Sequence, residues 1–430
     1  MYNGKIIVRV DGIAAACFFL ICFFKSFWYI EAVNILLRLL MFFGAILAFF
    51  TSRLGSFKNV SLIELIWILV LGVPILGRVF TAFSGNSMSE TISIVMLYAC
   101  STLYALACAR NKRLINASIK ICVVYLAVLV CCTIIFRFTP GFYTSRIVPL
   151  FNRDANLIRG YLGGNMSGLT AHYSTNGMYM ALAAIVGFCY VFTADDSVRR
   201  IEKAGRYTWL IVSLIALLMT GKRAHLIFVL MSAVICYFYY HVDKPKGRLF
   251  KMVAICAFGG FAFYIAYLLM PNYFSAITRI IGKLDSDDVS AGRLELWETA
   301  IAYFKQYPLV GIGFKQFIRS VGLDVHNIYL QILCEMGILG AVVYYSVLFA
   351  TFRKSFRNLV YARKNRLYDP KEIEDGFLLA FSFMYQVFFL IYGLTGNPLY
   401  DVPTFVPYYF SLGIAVFYCN DIRERKRKGE

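Results

Sequence analysis

Long apolar runs alternate with short polar segments along almost the whole chain of 430 residues. A helix needs roughly 20 apolar residues to cross the hydrocarbon of a bilayer, and about twelve runs approach that length. They cover approximately residues 10–24, 32–50, 60–80, 88–109, 114–136, 174–194, 207–220, 223–240, 249–270, 326–352, 376–394 and 403–420. The seventh run is short and Asp11 interrupts the first, so eleven spans is the alternative. The pattern predicts an all-α, polytopic integral membrane protein with one domain, residues 1–430.

The composition agrees with this interpretation. Hydrophobic residues make up 60% of the chain, which contains 39 Phe and 30 Tyr and is far more apolar than a soluble domain. All 12 cysteines lie in the apolar runs, where a thiol behaves as a small hydrophobic group. Neither a disulfide framework nor a cysteine metal site is therefore expected. The first run lacks a small-residue cleavage site, so we expect it to remain as a span.

The net charge of +19 is high enough to raise the question of nucleic acid binding. However, the Lys and Arg residues concentrate in alternate connections between the apolar runs. These connections are residues 110–113, 199–206, 244–248, 353–371 and the C-terminal segment 423–428. Basic residues favour the cytoplasmic side of membrane proteins. The pattern therefore predicts that both termini are cytoplasmic, and no nucleic acid partner is expected.

This topology leaves two long segments on the outer face, residues 137–173 and residues 271–325. In the second, apolar residues recur at three- and four-residue spacing, which predicts an amphipathic helix at about residues 291–306. The expected apolar stripe is Leu294, Trp297, Ile301 and Phe304. Pro308 ends this helix, and Gly311 and Gly313 permit a tight return of the backbone toward His326.

The outer segments carry more arginine than the topology requires. Those residues are Arg137, Arg146, Arg153, Arg159, Arg223, Arg279, Arg293 and Arg319. Burying an Arg at membrane depth costs several kcal/mol unless it is paired, and guanidinium groups match phosphate oxygens bidentately. The cluster indicates an anionic head group such as a lipid-linked pyrophosphate, with solvated loop residues as the alternative. Arg223 is the sharpest candidate, because the tight turn 220–223 pins it at a helix mouth; Lys222 and Arg223 as an interfacial anchor is the alternative.

A second group of polar residues opens the tenth span. His326 is followed by Asn327, Gln331 and Glu335, the last three spaced four residues apart. Asn327, Gln331 and Glu335 therefore form one polar stripe down an apolar helix. We expect His326 to act as a general base, supported from below by Gln331 and Glu335; simple helix capping is the alternative for His326 and Asn327. His172 is another outward imidazole. We expect His172 and Arg159, together with Asn327, Gln331 and Glu335, to help bind the substrate.

Asp285, Asp287 and Asp288 resemble the paired carboxylates that hold a divalent metal in many sugar transferases. A solvated acidic loop is the better interpretation of so short a pattern. We therefore predict no metal and no cofactor.

The order of these motifs resembles the O-antigen ligase and polymerase superfamily. The resemblance rests on an Arg after a short outer turn (TGKRAH at 220–225), R-x3-W at 293–297, PLVGIG at 308–313 and HNIYLQ…EMGILG at 326–340. It implies a metal-independent, inverting glycosyltransferase that uses undecaprenyl-diphosphate-linked glycans at the outer face of the bacterial cytoplasmic membrane. Carried over, Arg223 and Arg293 would hold the diphosphate and His326 would activate the acceptor hydroxyl. The family often has Ser-Arg-Gly where this chain has Lys222-Arg223-Ala224.

Within the family, we favour a polymerase of lipid-linked oligosaccharide repeat units, which makes surface polysaccharide. The alternative is a ligase that transfers finished glycan to a lipid core or a protein. The expected partners are the undecaprenyl-diphosphate-linked oligosaccharide, membrane lipids and, for a polymerase, a protein that regulates chain length. A lipid-linked sugar transporter is less well supported, because transporters usually show internal repeats, and this chain shows none.

Overall fold

The computed structural model describes residues 2–52, 88–152, 154–194, 199–243, 247, 253, 293–368 and 373–429. Within these residues the chain is helical and contains no strand. The helices are α1 (Tyr2–Phe23), α2 (Glu31–Thr51), α3 (Met88–Cys108), α4 (Lys112–Phe138), α5 (Asp154–Leu162), α6 (Tyr173–Phe192), α7 (Arg200–Met219), α8 (Arg223–Tyr240), α9 (Arg293–Gln306), α10 (Gln316–Val321), α11 (Ile328–Lys364), α12 (Ile373–Tyr392) and α13 (Val402–Lys428).

Seven of these helices are long and apolar enough to cross a membrane: α2, α4, α6, α8, α11, α12 and α13. Two more, α1 and α3, contain the shorter apolar stretches Val10–Phe23 and Val95–Cys108. Helix α7 occupies the predicted span 207–220, but its first half is charged. The predicted spans 60–80 and 249–270 lie outside the described residues, as do residues 271–292. The protein is an all-α polytopic membrane protein, as predicted.

Successive connections meet at opposite ends of the bundle. At one end, here called the site end, Lys25 forms an ion pair of 2.5 Å with Asp401, and the backbone N–H of Ile328 donates to the Gly393 carbonyl at 2.8 Å. At the other end, Lys112 pairs with Asp375 at 2.6 Å. Described residues of the predicted cytoplasmic basic segments, such as Lys112 and Arg363, lie at this second end.

The outer segment 137–173 folds around a small core of its own. Short helical turns cover Pro140–Phe142, Tyr143–Ile147 and Val148–Phe151, and α5 follows. The core consists of Phe136, Tyr143, Ile147, Val148, Phe151, Leu157, Met166 and Met219. A hydrogen bond of 2.8 Å from the Met166 N–H to the Met219 carbonyl ties this segment to the end of α7. This fixes the segment beside the turn that leads to α8.

Helix α9 covers nearly the same residues as the predicted amphipathic helix, but two of the four predicted stripe residues do not pack within the protein. Leu294 is 56% exposed and Ile301 is 40% exposed. The packed face consists of Leu296, Trp297, Ala300, Tyr303, Phe304 and Tyr307, against Ile312, Phe317, Val325 and Cys334. The stripe is rotated because α9 packs on the 312–325 segment and on α11, so its contacts within the protein decide which residues are covered.

Helix α11 is interrupted at Gly337, whose φ of 62° and ψ of −168° are essentially restricted to glycine. Backbone groups that a break exposes at membrane depth must find other partners within the protein. The segment 308–313 supplies them through the hydrogen bonds Ile312 N–H to Cys334 O (2.9 Å), Gly313 N–H to Glu335 O (2.9 Å), Ile338 N–H to Pro308 O (2.8 Å) and Leu339 N–H to Leu309 O (3.2 Å). The glycines therefore return the chain to the break in α11, and not to His326 as predicted.

The two backbones approach so closely that each needs a glycine. A Cβ at Gly337 would lie 2.3 Å from the Leu309 carbonyl oxygen, and one at Gly311 would lie 2.4 Å from the carbonyl carbon of Glu335. Both glycines also have positive φ, of 62° and 70°. The PLVGIG motif thus forms one unit with the EMGILG motif.

We expect Gly337→Ala to destabilise the protein by several kcal/mol, because strained backbone alone costs about 1–3 kcal/mol and the Cβ would also clash. Thermal unfolding of the purified protein in lipid nanodiscs measures this as a lower melting temperature. Gly205→Ala is the matched control, because nothing lies within 4 Å of a Cβ there. Equal melting temperatures for the two variants would contradict the interlock.

Candidate active site

His326 has a left-handed backbone conformation, with a φ of 55°. Non-glycine residues pay a free-energy cost for this conformation, although Asn, Asp and His adopt it more readily than most. Its neighbour Val325 is held at both polar backbone groups: the Trp297 indole N–H donates to the Val325 carbonyl at 3.1 Å, and the Val325 N–H donates to Gln331 Oε1, also at 3.1 Å. Trp297 and Gln331 therefore keep the strained turn in place and aim the imidazole.

Asn327 holds the other side of His326. Its Oδ1 accepts hydrogen bonds from the backbone N–H groups of Tyr329 at 3.0 Å and Leu330 at 3.1 Å, so it is the N-cap of α11. The Ile328 N–H donates to the Gly393 carbonyl between α12 and α13. Among the contacts described, Asn327 acts on the helix and not toward a substrate.

Among the described residues, three charged groups act on His326 electrostatically: Arg293, Asp324 and Lys222. The pKa of His326 lies below its ordinary value, mainly because the imidazole is partly buried and next because Arg293 is positive; Lys222 also lowers it, while Asp324 opposes the shift. The imidazole is therefore neutral at neutral pH. A neutral imidazole can accept a proton, and an anionic group bound beside the neighbouring cations would favour that transfer.

Lys222 links this group to the start of α6. Its ammonium lies 4.9 Å from the centroid of the Tyr173 ring, and its Cγ would lie 2.8 Å from a Cβ at Gly177. Arg223 follows as the first residue of α8 and is partly buried. The turn between α7 and α8 thus places Lys222 in the His326 environment, with Arg223 beside it in sequence.

Glu335 is fully buried below the turn and accepts four hydrogen bonds. Its Oε1 accepts from Gln331 Nε2 at 2.6 Å and from the Phe317 N–H at 3.3 Å; its Oε2 accepts from the Tyr400 hydroxyl at 2.6 Å and from the Lys315 N–H at 2.8 Å. Gln331 is 1% exposed, and its Oε1 also accepts from Asn397 Nδ2 at 3.0 Å. Gln331 and Glu335 form an internal support that joins the His326 turn to the 313–317 segment.

The remaining predicted residues lie apart from this group in the contacts described. His172 is the N-cap of α6, where its Nδ1 accepts from the Ser174 N–H at 3.1 Å and its ring stacks on Tyr173. Arg159 is exposed on α5, and no contact described for it reaches His326. Substrate binding by these two residues stays a prediction. The acidic residues at 285–288 lie outside the described part of the chain.

The sequence interpretation did not select Asp324, Lys222, Asn397 or Tyr400 as site residues. Asp324 and Lys222 each adjoin a selected motif, so their position could have suggested them. The Asn397 and Tyr400 side chains come from the connection between α12 and α13, where no local pattern marks them.

The pKa of Asp324 is raised, chiefly by burial, and His326 and Lys315 oppose that shift. In the described residues, no three His, Cys, Asp or Glu side chains are grouped so as to hold a metal ion.

We expect Arg293→Gln to raise the pKa of His326, because the variant removes a positive charge beside the imidazole. Asp324→Asn should lower it further, because the protonated ring loses a negative neighbour. Histidine NMR titration in nanodiscs measures both shifts, and the chain has only 4 histidines to assign. The exposed Arg319, changed to Gln, is the control. An unchanged titration in both test variants would contradict the arrangement around His326.

Glu335→Gln should disrupt the site indirectly, through the buried hydrogen bonds that support the His326 turn. An amide nitrogen would face a donor where the carboxylate now accepts, and a broken buried hydrogen bond costs roughly 1–3 kcal/mol. We expect a lower melting temperature and faster proteolysis of the 313–327 segment. Glu298→Gln, on the exposed face of α9, should leave both unchanged. A native melting temperature in Glu335→Gln would show that the four hydrogen bonds contribute little.

Comparison with known proteins bears on this region. A family model described as O-antigen ligase matches residues 208–345, a segment that begins within α7 and ends within α11. Over 134 residues the chain is 25% identical to the exopolysaccharide production protein ExoQ of Rhizobium meliloti (strain 1021), an alignment that covers 27% of this chain and 30% of that protein. The predicted resemblance to the O-antigen ligase and polymerase superfamily is therefore confirmed on the segment that carries Arg223, Arg293 and His326.

Proposed function

We propose that this protein is a membrane glycosyltransferase that polymerises undecaprenyl-diphosphate-linked oligosaccharide repeat units at the outer face of the bacterial cytoplasmic membrane. The observation that carries the proposal is the juxtaposition of a neutral His326 with Arg293 and Lys222 at one mouth of the helix bundle. A base and an anion-binding group are the two components that glycosyl transfer from a diphosphate requires. The family match supports the same chemistry.

The reaction is a displacement at the anomeric carbon of the donor sugar. An acceptor hydroxyl oxygen forms the new glycosidic bond, while the bond between that carbon and the diphosphate oxygen breaks. His326 takes the hydroxyl proton, and the bonding electrons leave with the lipid diphosphate. Because the nucleophile and the leaving group lie on opposite sides of the carbon, the configuration inverts.

The cationic side chains stabilise the departing diphosphate. Negative charge grows on its bridging oxygen as the bond breaks, and fixed positive groups in a partly dewatered site stabilise that charge strongly. We assign this role to Arg293 and Arg223, with Lys222 as a further cation that adjoins Arg223. With these charges supplied by the chain, we expect activity to persist in the presence of EDTA.

The choice between polymerase and ligase rests on the acceptor. The family model carries the description O-antigen ligase, which favours transfer of finished glycan to a different acceptor. The ExoQ protein carries the description exopolysaccharide production, which favours polymer synthesis, and we adopt that function. The basic second end of the bundle supports our proposal that the site end faces outward, because basic residues favour the cytoplasmic side.

The test is to give the purified protein in nanodiscs one substrate, an undecaprenyl-diphosphate-linked repeat unit, and to resolve the products by gel. We expect a ladder from the native chain and from Arg319→Gln. His326→Asn should lose roughly 10²–10⁴-fold in rate because the base is absent, and asparagine tolerates the left-handed backbone. Arg293→Gln and Arg223→Gln should also lose the ladder.

Two other outcomes would change the assignment. If the donor stays intact until a lipid core or a protein acceptor is added, the protein is a ligase. If the substrate crosses the bilayer unchanged and no product forms, the enzyme proposal is wrong. A full ladder from both Arg variants would remove the diphosphate roles of Arg223 and Arg293.

A further inference from the structure

A cavity of about 230 Å³ lies at the site end, and none of its described lining residues is Arg223, Arg293 or His326. It lies among α1, α2, α3, the 314–315 segment and the connection before α13. Two cations, Arg38 and Lys315, and four aromatic residues, Trp28, Tyr98, Phe314 and Tyr400, contribute to its wall. The rest of the described wall is made mainly of aliphatic and sulfur-containing side chains. The cavity is therefore amphipathic, with positive charge added to an apolar space.

Arg38 is held by an aromatic neighbour. Its guanidinium carbon lies 5.8 Å from the centroid of the Trp28 ring, and the side chain is half-buried on α2. A guanidinium that packs on an indole uses its face, whereas phosphate oxygens bind along its N–H edge. Arg38 is thus placed at the wall by a contact that is compatible with anion binding.

Lys315 is placed by the same network that supports His326. Its φ is 60°, and its backbone N–H donates to Glu335 Oε2, which also accepts from the Tyr400 hydroxyl. Glu335 is hydrogen-bonded to Gln331, whose Oε1 holds the Val325 N–H beside His326. Lys315 also acts electrostatically on Asp324. The cavity and the His326 turn are therefore separate places that share one buried carboxylate.

The size of the cavity limits its occupant. Pockets that enclose a whole small molecule usually measure about 300–1,000 Å³, so this cavity can hold only part of a long lipid. An anionic head and the first carbons of its chain match the two cations and the apolar wall. The remainder of such a chain would extend beyond the cavity into the bilayer.

We propose that this cavity binds the diphosphate and the first isoprenoid carbons of the second lipid-linked substrate, the acceptor. The inference rests on the proposed function, in which two diphosphate lipids are bound at once. Two such head groups repel each other and need separate cationic sites. Arg293 and Arg223 serve the donor, while Arg38 and Lys315 anchor the acceptor, so that its sugar hydroxyl reaches His326.

The test counts bound lipid by native mass spectrometry, with undecaprenyl diphosphate as the probe. We expect the native protein to bind two probe molecules and the Arg38→Gln/Lys315→Gln variant to bind one. The Arg223→Gln/Arg293→Gln variant should also bind one, and the variant with all four changes should bind none. Arg427→Gln, at an exposed position of the other end of the bundle, is the control and should bind two. Loss of the second site means an affinity lower by about tenfold or more.

The outcomes separate this inference from the proposed function. Two probe molecules on Arg38→Gln/Lys315→Gln, with one on Arg223→Gln/Arg293→Gln, would overturn the cavity site and leave the enzyme proposal standing. No probe on the native protein would overturn both. A parallel measurement in phosphatidylglycerol nanodiscs tests for an ordinary lipid site. If phospholipid occupies the cavity and the probe does not displace it, the inference is also overturned. Melting temperatures check that each variant is folded.

Discussion

The broken backbone of α11 at Gly337 is the constraint on which the site end depends. A helix inside a membrane satisfies its own N–H and C=O groups, and a break leaves some of them without helical partners. Here the segment 308–313 pairs with the broken turn, so the loop after α9 is fixed at a defined depth of the bundle. Glu335, within that turn, then holds Lys315 and Phe317 by their backbone N–H groups.

From this pairing the position of His326 follows in two steps. The fixed loop carries α10 and places Phe317 and Val325 against α9, so that Trp297 reaches the Val325 carbonyl. Gln331, one turn above Glu335, holds the Val325 N–H. An imidazole in a left-handed backbone is thus fixed by residues that are themselves internal, which leaves the ring for chemistry. Pre-organisation of this kind is what general base catalysis needs.

The buried carboxylate of Glu335 is held at the site end by neutral hydrogen-bond donors among the described residues. The four described donors to Glu335 are two backbone N–H groups, one hydroxyl and one amide. Arg293 and Lys222 act on His326, whereas Lys315 and Arg38 line the separate cavity. These four cations are therefore divided between two places, which suits the proposed reaction with two lipid-linked substrates.

The sequence by itself determined the fold class, because the backbone N–H and C=O groups of apolar runs of this length find hydrogen-bond partners in a membrane by forming helices. It also singled out Arg293 and His326 as candidate site residues, and the PLVGIG and EMGILG motifs, because polar and glycine residues stand out against an apolar background. Tertiary structure decided the rest. The covered face of α9 differs from the predicted stripe, because the 312–325 segment and α11, and not hydropathy, select it. Asn397 and Tyr400 reach Gln331 and Glu335 from a connection about 65 residues away, and only the packing of α11 against α12 and α13 brings those atoms together.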